Sequence, residues 1–380
     1  MHVVYMDSET KLVQSILQFD NVWCQTLGIF NPYLDPYDVH FSPQLPMFDI
    51  TAYNKYPKHN YVYDKLWIAK TQKLKCGTLE HIHKRNDVQY PIFIKPRWGH
   101  KSASSKNCYK IKHKSELKAH MDKEDMIWTD FIDAQETMTD FLMLNGKIMY
   151  QMTSVYSEKQ NGFIDDYKYI SEENQPPEVI VDWVNEHMKD YSGVCNVQYR
   201  GDKIIEVSLR LSRGGCYMKS TNNTNIIKNI NNIIDNNSWD YTIAQHMSYR
   251  PFYSYKCYTS MFILYLFPQY LIDYIMKSNG CKEFYEYFFE PSGSQGMVFF
   301  QFLHEDHNIG MRVKKNIENW LFLSQLFFII AFTLMIYAYF KNIKYSNIIF
   351  YAVIVLFLTR LLNPLATNYS LLKAQKQQLF

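Results

Sequence analysis

The chain has 380 residues, enough for roughly two or three domains, and its 47% hydrophobic and 20% charged residues exclude a disordered polypeptide. Its net charge of +3 is too small to predict a nucleic-acid partner. The seven cysteines show no C-x-x-C spacing, which excludes the common zinc and redox motifs and favours free thiols in a reducing compartment. The abundance of Asn, Ile, Lys and Tyr is typical of an AT-rich genome.

The first half of the chain alternates predicted strands and helices. Tyr90–Pro96 reads as a buried strand that a proline closes, and Met126–Ile132 is a second predicted strand. Between them, Ser115–Lys123 is predicted as a short helix with Ser115 as its N-terminal cap.

A β-hairpin is predicted next, because Asn145-Gly146 separates two strand-like runs and is a strong two-residue turn signal. Pro176–Tyr191 is amphipathic and has proline at its start, which predicts a helix. Isoleucines at helical spacing predict another helix over Asn225–Asn237, whereas 248–310 is aromatic and partly helical. Helices separate from antiparallel hairpins are typical of the α+β class.

The stretch Asn196–Gly215 reads as two short strands around a turn at Gly201-Asp202. Because side chains two apart on a strand share a face, Glu206, Ser208 and Arg210 lie together on its second half. The opposite face collects Ile205, Val207 and Leu209. Two interpretations stay open at this point: the solvated face of an antiparallel strand, or a polar functional face.

The sharpest change in composition comes near the C-terminal end. Leu321–Phe340 has no charged residue and has the length of a bilayer-spanning helix. Ile348–Ala366 is a second apolar run, interrupted by Arg360 and Pro364. We predict a transmembrane hairpin; the alternative is a helical hairpin buried in a soluble core.

The charges around this hairpin predict its orientation. Cations flank it on both outer sides, at Arg312, Lys314, Lys315, Lys373 and Lys376. Lys341 and Lys344 lie in the loop between the spans. By the positive-inside bias, both termini of this two-pass protein are predicted to be cytoplasmic, in a host or a viral membrane.

Six polar side chains occupy places that a purely structural strand or helix would not favour. They are Lys65, Lys95, Asp130, Glu136, Gln198 and Glu206. Lysines neutralise phosphates, and hard oxygen ligands hold Mg²⁺. The set therefore fits a nucleoside triphosphate with magnesium.

The motifs around these residues occur in a recognisable order. "YDK" ends at Lys65, "YPIFIKP" carries Lys95, "RWGHKSASSKNCYKI" follows it, and "IWTDFIDAQETMTDFLMLNGK" carries Glu136. This order resembles the ATP-grasp superfamily over Tyr53–Gly215. The resemblance implies an ATP-grasp fold, in which two α/β subdomains clamp ATP.

The same resemblance implies roles for individual residues. Lys65 and Lys95 would bind phosphates, with Lys95 also catalytic. Thr129 and Asp130 would lie at the adenine-binding hinge. Glu136 would hold the ribose hydroxyls.

The stretch "NVQYRGDKIIEVSLRLSR" is similar to the carbamoyl phosphate synthetase large subunit. That likeness implies that Gln198 and Glu206 hold Mg²⁺. It places Ser208 where the family has a metal-ligating asparagine. It also makes Arg210 a catalytic residue that faces the transferred phosphate.

The resemblance implies an ATP- and Mg²⁺-dependent ligase that joins a small carboxylate to an amine or thiol through an acyl phosphate. The expected partners are ATP, that carboxylate and the lipid bilayer, without nucleic acid. The sequence departs from the family at Ser208, at Thr129 and in a covering loop whose single glycine is Gly99. These departures favour an alternative: a weakened or inactive ATP-grasp-like membrane protein with a scaffold role, viral by its composition.

The predicted organisation has five parts along the chain. They are a short N-terminal region over 1–52, the ATP-grasp domain over 53–215, a mostly helical extension over 216–316, the hairpin over 317–366 and a cytoplasmic tail over 367–380. Two further patterns remain open: His304 and His307 as metal ligands on one side of a helix, and Cys108 in the covering loop as a nucleophile.

Overall fold

The computed structural model describes residues 41–46, 49–101, 107–158, 160–161, 164–212, 221, 223–259, 269–284, 297–341, 343–344 and 347–355. Several predictions therefore lie outside the described residues: most of 1–52, the serines of the covering loop, Arg213, the part of the hairpin after residue 355 and the tail. The described residues divide into two compact units, one ending at Ser254 and the other beginning at Tyr255.

The strands are β1 (Cys76–Thr78), β2 (Ile92–Pro96), β3 (Tyr109–Ile111), β4 (Met126–Asp130), β5 (Glu136–Leu144), β6 (Lys147–Tyr156), β7 (Gln160–Asn161), β8 (Ile164–Asp165), β9 (Lys168–Ser171), β10 (Gly193–Arg200), β11 (Lys203–Ser208), β12 (Phe252–Thr259), β13 (Lys282–Phe284) and β14 (Met297–His304). The α-helices are α1 (Asp49–Lys55), α2 (Lys65–Thr71), α3 (Glu178–His187), α4 (Thr224–Asn236), α5 (Tyr241–Ala244), α6 (Gln269–Ser278) and α7 (His307–Phe340). Short 3₁₀ helices cover Asn60–Tyr63, Leu79–Lys84, Gly99–Lys101 and Lys114–His120.

The first unit contains a small antiparallel sheet in the order β1-β4-β2-β3. Ile92 and Ile94 of β2 and Trp128 of β4 are fully buried and form its core with residues of the flanking 3₁₀ helices. The alternation of apolar residues along β2 therefore directs Lys95 away from this core, as its position in "IFIK" predicts.

The larger sheet of this unit is antiparallel, with the order β11-β10-β5-β6-β9-β12. The β5–β6 hairpin turns at Asn145-Gly146, where both residues have positive φ (49° and 77°), so the predicted hairpin is confirmed. The α+β class is confirmed by the same arrangement, because the helices are separate from the antiparallel hairpins.

One face of the larger sheet packs against helices. Phe141 of β5 and Val197 of β10 share a core with Trp183 of α3 and Ile68 of α2. The indole nitrogen of Trp183 donates to the Thr71 hydroxyl at 2.9 Å, which joins the two helices. Because this face is apolar and covered, polar side chains collect on the opposite face.

Strand β11 contains one residue more than its partner β10 opposite the step from Gln198 to Tyr199. Gln198 pairs with Glu206 and Tyr199 pairs with Ile204, so Ile205 has no partner and forms a β-bulge. Ile204, and not Ile205, therefore enters the core. The prediction for Ile205 is wrong because a bulge shifts the alternation of side chains by one residue.

The outer edge of β11 is covered by a single side chain. Gln72 donates its amide nitrogen to the Ile204 carbonyl at 2.9 Å and accepts the Ile204 amide at 2.6 Å. This amide satisfies both backbone groups of an edge residue, which a free edge would leave to solvent or to another chain.

The remaining predictions for this unit hold with small shifts, except one. Glu178–His187 and Thr224–Asn236 are helices as predicted, and Asn223 caps the second. The segment predicted as an α-helix over Ser115–Lys123 is instead a 3₁₀ helix over Lys114–His120, with His113 and not Ser115 at its N-cap. A single short turn contains too few residues to distinguish the two helix types by periodicity.

The second unit contains strands where the sequence predicted mostly helix. The rest of β12, then β14 and β13, are neighbours in one sheet. Their aromatic runs lack clear alternation, so their periodicity does not separate strand from helix. The predicted helical pair of histidines is also not formed: His304 ends β14, and its imidazole hydrogen-bonds to the Asn279 carbonyl at 3.0 Å.

Helix α7 changes character along its length. Val313, Ile317 and Leu321 are buried in the second unit, whereas large apolar side chains such as Phe327 and Leu334 are exposed. Among the described residues, α7 is the one helix long and apolar enough to cross a membrane, and 6% of its most apolar window is buried. Residues 347–355, which overlap the start of the predicted second span, are also helical.

A buried carboxylate holds the end of the polar face in the first unit. Asp140 of β5 accepts hydrogen bonds from the Asn196 amide at 2.7 Å, the Ser212 hydroxyl at 2.9 Å and the Ser212 backbone amide at 3.1 Å. Burial raises the pKa of Asp140 to about 6, against the opposing effect of these hydrogen bonds. The contact fixes the segment that follows Arg210.

Asp140→Leu is expected to destabilise the chain by several kcal/mol, because each buried donor left unsatisfied costs about 1–3 kcal/mol. Asp140→Asn is the matched control and should change stability by less than about 1 kcal/mol, since one carboxamide oxygen still accepts and the Ser212 hydroxyl can reverse its role. Urea unfolding followed by tryptophan fluorescence measures both. Equal unfolding midpoints for the two variants would contradict this account.

Candidate functional site

The end of β2 lies against β11 of the larger sheet, and we call the region around this contact the cleft. The ammonium of Lys95 donates to the carbonyl of Ile205, the bulged residue, at 2.7 Å. The bulge makes this carbonyl available, because Ile205 takes no part in the pairing of β11 with β10. Lys95 therefore connects the small sheet to the larger one.

Lys65 enters the same cleft from the first turn of α2. Asp64 caps this helix by accepting from the backbone amides of Leu66 and Trp67, and it also binds Arg97 through both carboxylate oxygens, at 2.9 and 2.6 Å. The ammonium of Lys65 lies 3.3 Å from Oε2 of Glu206, and the Lys65 side chain is 5% exposed. The cap thus sets the position of a buried cation.

The electrostatics of the cleft are dominated by these two buried cations. Burial, followed by the charge of Lys65, lowers the pKa of Lys95 to about 8, against an opposing effect of Glu206. Cys108 also lies close enough to be affected by both lysines, and burial raises the pKa of its thiol. The raised pKa argues against a reactive thiolate at Cys108.

Glu136 and Gln198 lie together on the polar face. The Gln198 amide nitrogen hydrogen-bonds to Glu136 Oε1, and Arg200 donates to Glu136 Oε2 at 2.6 Å. Arg200 also donates to the carbonyl of Ala134 at 3.1 Å. The predicted ribose acid is thus held by two neighbours, of which sequence analysis missed Arg200.

The predicted metal ligands can be tested for their fit to Mg²⁺. Glu206 supplies a carboxylate. The amide nitrogen of Gln198 donates to Glu136, and its amide oxygen is the atom that could bind a metal ion. Ser208 adds a buried hydroxyl on the same face, opposite Asn196. One or two carboxylates completed by water and phosphate suit Mg²⁺, so these donors fit it. Among the described residues, no group of three or more His, Cys, Asp or Glu side chains could hold a metal alone.

Arg210 has a partner that the sequence did not reveal. Its guanidinium donates to Asp49 Oδ2 at 2.5 Å, and Asp49 Oδ1 accepts from the Tyr63 hydroxyl at 3.3 Å. Both side chains are partly exposed, 22% for Arg210 and 16% for Asp49. Asp49 opens α1, far from Arg210 in sequence, and no motif marks it.

The predicted adenine hinge lies at the end of β4. The carboxylate of Asp130 accepts from the Lys75 amide at 3.2 Å, and the Thr129 hydroxyl donates to the Asp130 carbonyl at 3.1 Å. Both side chains are thus occupied by backbone groups. The Asp130 backbone amide also donates to the Lys75 carbonyl at 3.0 Å, and Thr129 has a strand partner on each side, so the backbone here is paired as well.

The structure brings Lys65, Lys95 and Glu206 together directly. It places Gln198 opposite Glu206 on the neighbouring strand and joins Gln198 to Glu136. Arg210 follows the end of β11 by two residues and is held by Asp49. The predicted residues therefore come from different elements: Glu136, Gln198, Glu206 and Ser208 from the larger sheet, Lys95, Thr129 and Asp130 from the small sheet, and Lys65 from α2.

We compared the chain with protein families, curated sequences and solved structures. No protein-family model and no curated protein sequence matches the chain. A carboxyaminoimidazole ribonucleotide synthase from Aspergillus clavatus, solved with ATP, is 9% identical with a TM-score of 0.52, covering 70% of this chain and 74% of the synthase.

Two further solved structures are similar at lower TM-scores. An L-amino acid ligase from Bacillus licheniformis is 12% identical, with a TM-score of 0.46 over 67% of this chain and 69% of the ligase. A biotin carboxylase from Campylobacter jejuni is 11% identical, with a TM-score of 0.43 over 67% and 68%. At such identities the likeness concerns the fold alone, and that fold is the ATP-grasp fold.

Proposed function

We propose that this chain is an ATP- and Mg²⁺-dependent ligase that joins a small carboxylate to an amine or thiol through an acyl phosphate. The observation that carries this proposal is the meeting of Lys65, Lys95 and Glu206 in one cleft of an ATP-grasp fold. Two buried ammonium groups lie close enough that the charge of Lys65 helps to lower the pKa of Lys95. The phosphates of ATP would offset this repulsion through charge-assisted hydrogen bonds.

The nucleotide would be bound from its phosphates to its base. Lys65 and Lys95 donate to phosphate oxygens, and the Lys95–Ile205 contact keeps the second ammonium aimed into the cleft. Glu136 accepts from the ribose hydroxyls, and Arg200 holds its carboxylate in place. Thr129 and Asp130 would border the adenine at the end of β4.

The reaction would then proceed in two displacements. A carboxylate oxygen of the substrate attacks the γ-phosphorus, the bond to the β-phosphate oxygen breaks, and ADP leaves. The amine nitrogen or thiol sulfur next attacks the acyl carbon, and phosphate leaves. Arg210 stabilises charge on the transferred phosphoryl group. Bound Mg²⁺ would screen the phosphate charge, and Glu206, Gln198 and Ser208 would hold it.

We also propose that α7 and the run up to Ala366 form a two-pass membrane tether with both termini cytoplasmic. The exposed apolar part of α7 supports this proposal, since a bilayer would cover it. Exposed Arg312 and Lys315 precede the apolar part, as expected of a cytoplasmic flank.

A second candidate is a weakened or inactive ATP-grasp-like membrane protein with a scaffold role. One observation favours it: Gln198 and Glu136 hydrogen-bond to each other, so the predicted metal ligand and ribose acid are engaged with each other. A binding measurement separates the two candidates, because a scaffold does not require Mg²⁺-dependent ATP affinity.

Glu206→Gln is expected to abolish Mg²⁺-dependent ATP binding without unfolding the chain, because it removes the carboxylate of the predicted metal set. Asp202→Asn, on the turn of the same hairpin, is the control and should bind like the parent. Calorimetric titration with Mg·ATP provides the measurement, with circular dichroism to check folding. Binding by Glu206→Gln at parental strength would refute the metal site, and a parent without any binding would support the scaffold.

Nucleotide affinity is also expected to depend on pH through Lys95. Below its pKa of about 8 the amine is a cation and attracts phosphate, so affinity should fall as pH rises from about 7 to 10. Lys95→Arg keeps its charge throughout this range and should remove the pH dependence. Lys95→Met should lose about 1.5–3 kcal/mol of binding free energy.

The thermal stability of Lys95→Met measures how much the burial of the Lys95 ammonium costs. Lys95→Met relieves the cost of burying the ammonium but leaves the Ile205 carbonyl without this donor, so the two effects should offset and the Tm at neutral pH should change little. Lys203→Met, on the exposed side of β11, is the matched control for both measurements. A parental pH profile in Lys95→Arg would show that another group causes the dependence.

Deletion of 325–380 should release the chain from membranes, because it removes the exposed apolar turns and keeps the buried Ile317 and Leu321. The full chain is expected to resist carbonate extraction from membranes, while the shortened chain appears in the soluble fraction. Extraction of the full chain by carbonate would contradict the tether. So would persistence of the folded, shortened chain in the pellet.

A further inference from the structure

Three side chains form an unassigned group beside Arg210, which we call the acceptor cluster: Asp49, Tyr53 and His100. The His100 imidazole stacks on the Tyr53 ring with centroids 3.8 Å apart. Edge-on contacts with Tyr63 and Trp98 hold it from two other sides. The cluster thus combines packed aromatic rings with the carboxylate of Asp49.

One nitrogen of the His100 imidazole lacks a hydrogen-bond partner among the described residues. Nδ1 of His100 is buried and has no hydrogen-bond partner in the described part of the chain. A buried polar atom without a partner costs free energy, so a donor that reaches this nitrogen would be bound favourably. The groups that act on His100 electrostatically are Lys101 and Asp49.

Asp49 keeps capacity to accept a further donor. Oδ2 accepts from Arg210 and Oδ1 from Tyr63 at 3.3 Å, a long contact. An ionised carboxylate can accept about four hydrogen bonds, and the Asp49 side chain is 16% exposed. A cationic donor is therefore the group that this carboxylate can still bind.

The cluster lies beside the groups proposed for phosphoryl transfer. Asp49 contacts Arg210 directly. A side chain built at Gly99, the residue before His100, would begin 3.5 Å from Oε1 of Glu206. Asp49 therefore contacts Arg210, and the backbone just before His100 passes close to Glu206.

We propose that Asp49, Tyr53 and His100 bind the primary amino group of the acceptor substrate, so that the ligase forms an amide and not a thioester. This inference rests on the proposed function. An ammonium offers three donors and a positive charge, which suit the Asp49 carboxylate, the Tyr53 ring face and the His100 nitrogen. A thiol has one weak donor and no charge, so the same groups would bind it poorly.

His100 can also take the proton that amide formation releases. Burial, more than the charge of Lys101, lowers the pKa of His100, so the imidazole is neutral at pH 7. The ammonium loses one proton to solvent when it enters as a nucleophile. Its nitrogen lone pair then attacks the acyl carbon, the carbon–oxygen bond to phosphate breaks, and a second proton passes from nitrogen to Nδ1.

The test uses the full chain, labelled with [¹³C]histidine, and methylammonium as the probe. Substitution of His100 by Asn assigns its signal among the 12 histidines. Methylammonium should shift the His100 signal saturably and lower its pKa, because a bound cation disfavours the imidazolium. Equal concentrations of sodium chloride and of 2-mercaptoethanol are the controls and should not reproduce the effect.

Asp49→Asn should weaken the methylammonium effect at least tenfold, whereas Asp202→Asn should leave it unchanged. Tyr53→Leu provides a second variant that removes the ring face and should also weaken binding, if Asp49→Asn fails to fold. A response to methylammonium that sodium chloride matches, or that both folded variants retain, overturns the amine site.

Titration of Mg·ATP into the same samples keeps this result separate from the proposed function. Methylammonium binding without Mg·ATP binding would leave an amine site and remove the ligase. Mg·ATP binding without a specific methylammonium response would leave the nucleotide site and remove this inference.

Discussion

The hydrogen bond from the Lys95 ammonium to the Ile205 carbonyl is the contact on which the rest of the site depends. It requires a strand of the small sheet to end beside the larger sheet, and it requires a bulge that leaves one carbonyl without a ladder partner. The apolar faces of both sheets are covered by their own cores. The cleft is therefore where polar groups of the two sheets meet.

Two buried cations lie close together in this cleft, which fits the proposed phosphate site. Lys65 and Lys95 are both buried, and the Lys65 ammonium lies 3.3 Å from Glu206 Oε2. Burial of an ammonium is costly, and here it lowers the pKa of Lys95 to about 8. A bound phosphate would reverse that cost, so the free protein keeps an unfavourable interaction that a nucleotide would relieve.

The remaining polar residues are linked in pairs around this centre. Glu136 is held by Gln198 and Arg200, and Arg210 is held by Asp49. Each pair gives a charged side chain a hydrogen-bonded partner without any ligand. The same pairing would also stabilise a protein that binds no ligand, which is why affinity for Mg·ATP, and not geometry, distinguishes an enzyme from a scaffold.

The sequence by itself determined the elements whose signals are local. Asn145-Gly146 specifies a hairpin because it tolerates positive φ, and the alternation in "IFIK" places Lys95 off the small core. Motif order was enough to predict the ATP-grasp fold and to group Lys65, Lys95 and Glu206. The tertiary structure alone decided the bulge at Ile205, the Asp49–Arg210 pair and the strands within 216–316. A bulge depends on how a strand pairs with its partner strand, and an ion pair between distant residues depends on the tertiary fold. Neither therefore produces a periodic pattern in the sequence.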